Sequence, residues 1–266
     1  MRKYIIYFLA GLLLCSCGEY QRAQKSTDYN YKFEFAKQAF EQKRYVQAIT
    51  LLEECITVFK GSDKAEESLY LLAMSCYENK DYSSAAVYFK NYYSRYPKGK
   101  YAEDARFYSG YGYYLESPDP QLDQSGTIKG IEELQAFLDY FPRSDKVSIA
   151  QNAIFELQDK LTLKQLQNAQ LYYNLGNYMG NNYESAIIVA KNAVKDYPYS
   201  KYKEDLEMLI LKSRYQEAVN SIEERKVDRF RDVIDEYYSF VNNYPDTKNR
   251  AEADNILKIA RKYVKD

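Results

Sequence analysis

Few residues in this chain could form or break bonds. It has four cysteines and no histidine. Without an imidazole there is no Ser-His-Asp or Cys-His catalysis and no His-ligated metal site. No two cysteines have the C-x-x-C spacing. Paired carboxylates such as Glu53-Glu54 and Glu223-Glu224 are sequence neighbours, which on a helix points them to different faces. Ser109 to Tyr113 reads S-G-Y-G-Y, but no strand precedes it, so close helix packing is a better reading than a phosphate cradle. No catalytic, cofactor-binding or metal-ligating residue is expected. One thiol stands apart: Cys17 closes L-C-S-C (Leu14 to Cys17) behind an apolar run, and the chemistry a thiol offers is that of a nucleophile.

Arg2 and Lys3 precede that run, and Tyr4 to Leu14 carries no charge. Its eleven residues fall short of the about 20 that span a bilayer, and suit the apolar part of a signal peptide. With Leu14 at −3, Ser16 at −1 and Cys17 at +1, the site is similar to the lipobox of bacterial lipoproteins. That likeness implies diacylglyceryl transfer to Cys17, cleavage before it and acylation of the new amine. Cys15 cannot take the role, because Leu14 is too large for its −1 position. Residues 1–16 are then a leader, and Cys17 is a lipid anchor whose several acyl chains hold stably. Gly18, not Asp, follows Cys17, which by the enterobacterial sorting rule implies the outer membrane; the rule does not give the leaflet, and the periplasmic face is the expected one. Residues 17–28 lack periodicity and read as a polar tether, reaching at most about 40 Å.

The formal charge is −1, and losing Arg2 and Lys3 makes the chain more acidic. That balance opposes nucleic-acid binding through phosphates. Six prolines and ten glycines leave turns sparse, and the composition reads all-helical. The 31 tyrosines each offer an apolar face and a hydroxyl, so they serve equally as core filler or binding wall. Cys55 and Cys76 should lie at different heights on neighbouring helices and remain free, buried thiols.

Repeats organise the rest. Tyr45 and Tyr82 are 37 residues apart, as are Ala48 and Ala85. Pro97, Pro142, Pro198 and Pro245 each follow an aromatic residue, and Phe59-Lys60 fills the same slot one repeat earlier. Twelve residues before that slot stand Ala48, Ala85, Gly130, Ala186 and Val233. Eight before it stand Leu52, Phe89, Leu134, Ala190 and Tyr237. Five before it stand Cys55, Tyr92, Phe137, Ala193 and Phe240. This is one amphipathic helix seen five times. Ala36 and Ala73 mark the small position of a preceding helix. The spacings resemble the tetratricopeptide repeat, in which one helix pair cannot bury its apolar faces and stacked pairs can. The expected fold is all-α, a solenoid superhelix of about five helix pairs over 29–266, divided at 29–61, 62–99, 100–144, 145–200 and 201–266. Glu116 to Gly126 should be an exposed loop. Ser144 to Leu175 lacks Pro and Gly, predicting a helix about 45 Å long. Ser221 to Asp232, of mixed charge, should separate the last two helices as a solvated segment, and a helix from about Asn249 should cap the array.

A helical array with no pocket signature is suited to holding other proteins. The lipobox, the five repeats, K-S-T-D-Y-N-Y-K-F-E-F-A-K (Lys25 to Lys37), the Y-P-x-G/S-K-Y corners (Tyr96 to Tyr101, Tyr197 to Tyr202) and D-K-L-T-L-K-Q-L-Q-N-A-Q-L-Y-Y (Asp159 to Tyr173) together resemble the BamD family of the outer-membrane β-barrel assembly machine. Lys60-Gly61 in place of Pro, and the charged segment of the fifth repeat, depart from the family pattern. The resemblance implies a non-catalytic lipoprotein whose N-terminal repeats receive the C-terminal signal of unfolded barrels. Its C-terminal repeats would dock on periplasmic domains of the barrel-forming subunit. Tyr70, Tyr77 and Tyr108 are then the groove candidates, with core packing the competing role for each. Arg214, loosely in register with a basic residue the family uses, is the docking candidate, and an exposed unpaired cation is its competing reading. A periplasmic repeat lipoprotein that scaffolds other envelope machinery is the alternative function. A small-molecule carrier or a helical-solenoid enzyme of the lytic transglycosylase kind comes third.

Overall fold

The computed structural model describes residues 18–264, so the expected leader and the Cys17 anchor lie outside the described residues. All regular structure among the described residues is helical. Residues 18–25 are helical. Eleven helices follow: α1 Tyr29–Glu41, α2 Tyr45–Val58, α3 Ala65–Glu78, α4 Tyr82–Arg95, α5 Ala102–Glu116, α6 Ser125–Tyr140, α7 Val147–Leu175, α8 Asn182–Asp196, α9 Lys203–Val219, α10 Glu223–Asn243 and α11 Arg250–Ala260. They divide into two compact units. Unit 1 runs to Pro118 and includes Ser125–Ile154; unit 2 comprises Asp119–Gln124 and Phe155 onward.

In unit 1 each helix packs on the next from α1 to α6. The pairs are antiparallel. Phe33, early in α1, meets Phe59 just past α2 (5.8 Å between ring centroids), while Phe40, late in α1, meets Tyr45 at the start of α2 (5.6 Å). In unit 2, α8 packs on α9, α9 on α10, and α10 on α11. The second half of α7 joins α8 and α9 through Ala169, Leu166 and Tyr173. Consecutive antiparallel helix pairs in this order are the tetratricopeptide-like arrangement the repeat spacing predicts.

The fifteen residues picked out by their distance from the Pro slot are all buried. The small ones let helices approach. Ala36, Ala48, Ala73 and Ala85 have no exposed surface. Gly110 carries this furthest: a Cβ there would lie 2.8 Å from the backbone nitrogen of Leu134 on α6. Only glycine permits that approach, and it gives S-G-Y-G-Y its packing role.

Acidic residues fasten the inter-repeat corners. Glu66, in the first turn of α3, accepts from the Tyr92 hydroxyl and from the Lys100 N–H. Glu103 accepts from Ser144 at 2.6 Å, Asp159 from Ser200 at 2.6 Å, and Glu204 from Thr247 at 2.5 Å. Each satisfies polar groups that a Pro corner leaves outside helical hydrogen bonding.

Two segments differ from the sequence reading, and one expected loop is held in place by contacts. Residues 18–25 form a docked helix rather than a loose tether, because Ala23 is fully buried and Tyr20 lies 6.4 Å from the Phe35 ring. Glu116–Gly126 contains the exposed loop its prolines predict, and the centre of that loop is pinned within unit 2: Lys164 Nζ donates to the Leu122 carbonyl at 2.7 Å, and Gln121 donates to Gln167 at 3.1 Å. The charged Ser221–Asp232 stretch is not a separator. From Glu223 onward it forms the first turns of the 21-residue α10. Its charges face outward in i,i+3 pairs (Lys226–Glu223 and Arg231–Asp228, both 2.6 Å) while Phe230 is fully buried.

Cys55 and Cys76 are free and buried. Burial pushes the Cys55 thiol up to about 11, and burial with nearby Asp81 and Glu53 pushes Cys76 up to about 12.

Candidate functional site

Unit 1 gathers the three tyrosines named from sequence into one aromatic wall. Tyr70 and Tyr77 stand seven residues apart on α3, hence on one face. Tyr101 and Tyr108 repeat that spacing at the cap and middle of α5. Tyr70 stacks on Tyr101 (4.0 Å, 5°), and Tyr77 lies 4.8 Å from Tyr108 at a tilt of 60°. Phe89 of α4, fully buried, stands behind: its ring is 6.1 Å from Tyr70, 6.5 Å from Tyr77 and 5.8 Å from Tyr108. The three tyrosines are half-buried against the unit 1 core.

Their ring bodies and hydroxyls have different fates. The Tyr70 hydroxyl points at Asp104 (3.4 Å), which also pairs with Lys146 at 3.0 Å. The hydroxyls of Tyr77 and Tyr108 have no hydrogen-bond partner among the described residues. Burial raises the pKa of all three, helped by the Asp104 carboxylate at Tyr70 and Tyr108 and by Tyr108 and Tyr111 at Tyr77. These phenols therefore stay protonated and act as neutral donors and acceptors. Fully buried Tyr92 is the contrast, its hydroxyl spent between Glu66 and the Tyr101 N–H. The wall is thus part core and part surface, with the ring as filler and the hydroxyl as handle. Sequence reasoning missed Tyr101, whose seven-residue offset from Tyr108 was the available signal.

Arg214 sits on α9 in unit 2. Its Nε donates to Glu236 Oε2 at 2.7 Å, and its guanidinium also meets Asp232 at 3.7 Å. Lys191 of α8 reaches the same Glu236 at 3.6 Å. Arg214 is 22% exposed and Glu236 18%. The residue therefore ties α9 to α10 and is not an unpaired surface cation. A partner acid would have to compete with Glu236 for it.

The adjacent carboxylates do separate work. Glu54 pairs with buried Lys32, and Glu53 accepts from Tyr88 at 3.2 Å. No cluster of three or more potential metal ligands occurs among the described residues, and no described helix is long and apolar enough to cross a membrane.

Against known proteins, a family profile described as "YfiO: Outer membrane lipoprotein" matches residues 25–182. A protein of Aquifex aeolicus (strain VF5) described as a putative outer membrane protein assembly factor BamD is 25% identical over 174 residues. The alignment takes in 63% of this chain and 56% of that protein, so this chain matches little more than half of its relative's length.

Proposed function

The chain belongs to the YfiO family of outer membrane lipoproteins, and on that premise we propose that it is a non-catalytic component of the outer-membrane β-barrel assembly machinery. Association with the outer membrane follows from the family. The finer assignments are our own. Unit 1 receives unfolded barrel proteins on the Tyr70–Tyr77–Tyr108 wall. Unit 2 docks the periplasmic domains of the barrel-forming subunit, with Arg214 contributing only where a partner acid displaces Glu236. Cys17 carries the lipid.

The observation that carries this reading is the half-buried aromatic wall with unspent hydroxyls at Tyr77 and Tyr108. Ring edges suit the aromatic residues that alternate along barrel strands, and hydroxyls suit the unpaired backbone of a strand not yet in a sheet. The helix at residues 18–25 adds to it. If Cys17 is acylated, the anchor directly precedes a docked helix, and unit 1 stands close to the bilayer surface.

Depletion of the protein in its host tests the reading. Porin-like barrels should fall in the outer membrane while lipid-anchored proteins persist. Unchanged barrel levels would overturn it. Capture from detergent extracts that yields only cell-wall synthases would point instead to an envelope scaffold.

A further inference from the structure

Unit 2 contains an open groove of about 550 Å³ that the reading above does not use. Its floor is Met208 and Leu209 of α9, each 4% exposed. Along one side run Gln167, Gln170 and Asn174 of α7, spaced i, i+3 and i+7, hence on one helix face. Asp205 of α9 and Glu252 of α11 also line it.

The amides are only partly used. Gln167 accepts from Gln121 through its carbonyl oxygen, and Gln170 donates to Asn174 at 2.8 Å. The Gln167 amide nitrogen, the Gln170 carbonyl oxygen and the Asn174 amide nitrogen have no partner among the described residues. The row therefore offers both donors and an acceptor. A helix or a folded domain has already satisfied its backbone, and an acyl chain has none to satisfy. An extended peptide needs such groups.

The charge selects further. Lys212 neutralises Glu252 at 2.9 Å, while Asp205 meets only exposed Lys248 at 3.8 Å. Counting only the side chains that line the groove, two are acids and one is a lysine. In an extended chain, residues two apart share a face, so one can enter the Met208–Leu209 floor while the other reaches the acids.

We propose that this groove binds an extended segment of a partner protein in which a leucine-sized apolar side chain is followed, two residues on, by lysine or arginine. The site lies wholly in unit 2 and does not depend on the tyrosine wall.

The test is fluorescence anisotropy with the full-length protein in detergent micelles. The probe is a fluorescein-labelled decapeptide, Gly-Ser-Thr-Leu-Thr-Lys-Thr-Ser-Gly-Ser. Saturable binding is expected, weakened at least tenfold when the peptide lysine becomes glutamate or its leucine becomes serine. Gln170→Lys and Glu252→Lys, both at exposed positions, should each weaken it at least fivefold with the melting temperature unchanged. Absence of saturable binding would overturn the proposal, as would equal binding of the glutamate peptide or full affinity in Gln170→Lys. Light scattering that shows a dimer dissolved by Gln170→Lys would also overturn it, making a second copy of the chain the occupant. None of these readouts involves barrel assembly, so the result stands apart from the depletion experiment.

Discussion

Unit 1 and the α7–α9 junction of unit 2 fill one architecture with different side chains, whereas the far end of unit 2 again buries rings, Phe230, Tyr237 and Phe240. Unit 1 packs rings: Phe33, Phe35, Phe89, Tyr92, Phe107 and Phe137 are all buried. Where α7 to α9 meet in unit 2, the buried residues are Ala169, Ile187, Ala190, Ala193, Leu206, Leu209 and Ile210, with no aromatic among them. Rings are wide, so unit 1 can fill its interior while tyrosine edges reach the surface. Short aliphatic residues bring helices close, and unit 2 presents amides and ion pairs at its surface instead. The difference separates an aromatic wall suited to aromatic strands from an acidic, amide-lined groove.

Core truncation should have the largest effect. Phe89→Ala removes the ring behind three tyrosines and should cost about 3–5 kcal/mol, measured by denaturant unfolding. Ala190→Gly in unit 2 should cost far less, close to the helix propensity difference of about 1 kcal/mol. Comparable losses would erase the distinction between the two cores.

Two glycines two residues apart sharpen the picture within unit 1. Gly110→Ala forces a Cβ against the Leu134 backbone and should destabilise by about 1–3 kcal/mol. At Gly112 the nearest atom to an added Cβ is the Tyr82 carbonyl oxygen at 3.5 Å, which is ordinary contact. Gly112→Ala should therefore stabilise by about 0.5–1 kcal/mol through helix propensity. Thermal melts of the two variants should move in opposite directions.

In unit 2, the Arg214–Glu236 hydrogen bond should contribute about 1.5–3 kcal/mol, the range for bonds to charged groups. A double-mutant cycle with Arg214→Ala and Glu236→Ala measures the coupling. Coupling near zero would free Arg214 for a partner.

The smallest effect is on pH dependence, and it belongs to unit 1. The folded-state pKa values of Cys55 and Cys76 lie above the ordinary thiol value of 9.0. Below pH 9 the thiols are neutral in both states and contribute nothing. As pH rises from 9 toward 11 and 12, the unfolded chain releases these protons first and the fold loses stability. The melting temperature should hold up to pH 9 and then decline, and a Cys55→Ala, Cys76→Ala variant should decline less.

How much of this was readable in the sequence depends on how local the cause is. The second helix of each pair was legible because small and large apolar residues recur at fixed distances from an aromatic-Pro stop. Every such position is buried, from Ala48 to Phe240. The helix at residues 18–25 was not legible, since Ala23 is buried by distant residues and the local sequence is polar. In Glu223–Asp232 the charges obscured Phe230, which is buried and joins Val233, Tyr237 and Phe240 on one apolar stripe. Arg214 was found as a residue, but its partners come from α10, and sequence spacing does not show which helices meet. The tyrosine wall lies between these cases. Tyr70, Tyr77 and Tyr108 were picked out by helix position, whereas the division of ring from hydroxyl required the neighbouring elements.

The central claim is that the wall of unit 1 is a client-binding face. Site-specific photocrosslinking in cells tests it most directly, with benzoylphenylalanine placed at Tyr77 or Tyr108 and, as a control, at Val46, which is 64% exposed on α2. The account predicts adducts with newly secreted barrel proteins at 77 and 108 and none at 46. Adducts of equal yield at 46, or none at 77 and 108 in a protein that folds normally, would contradict it.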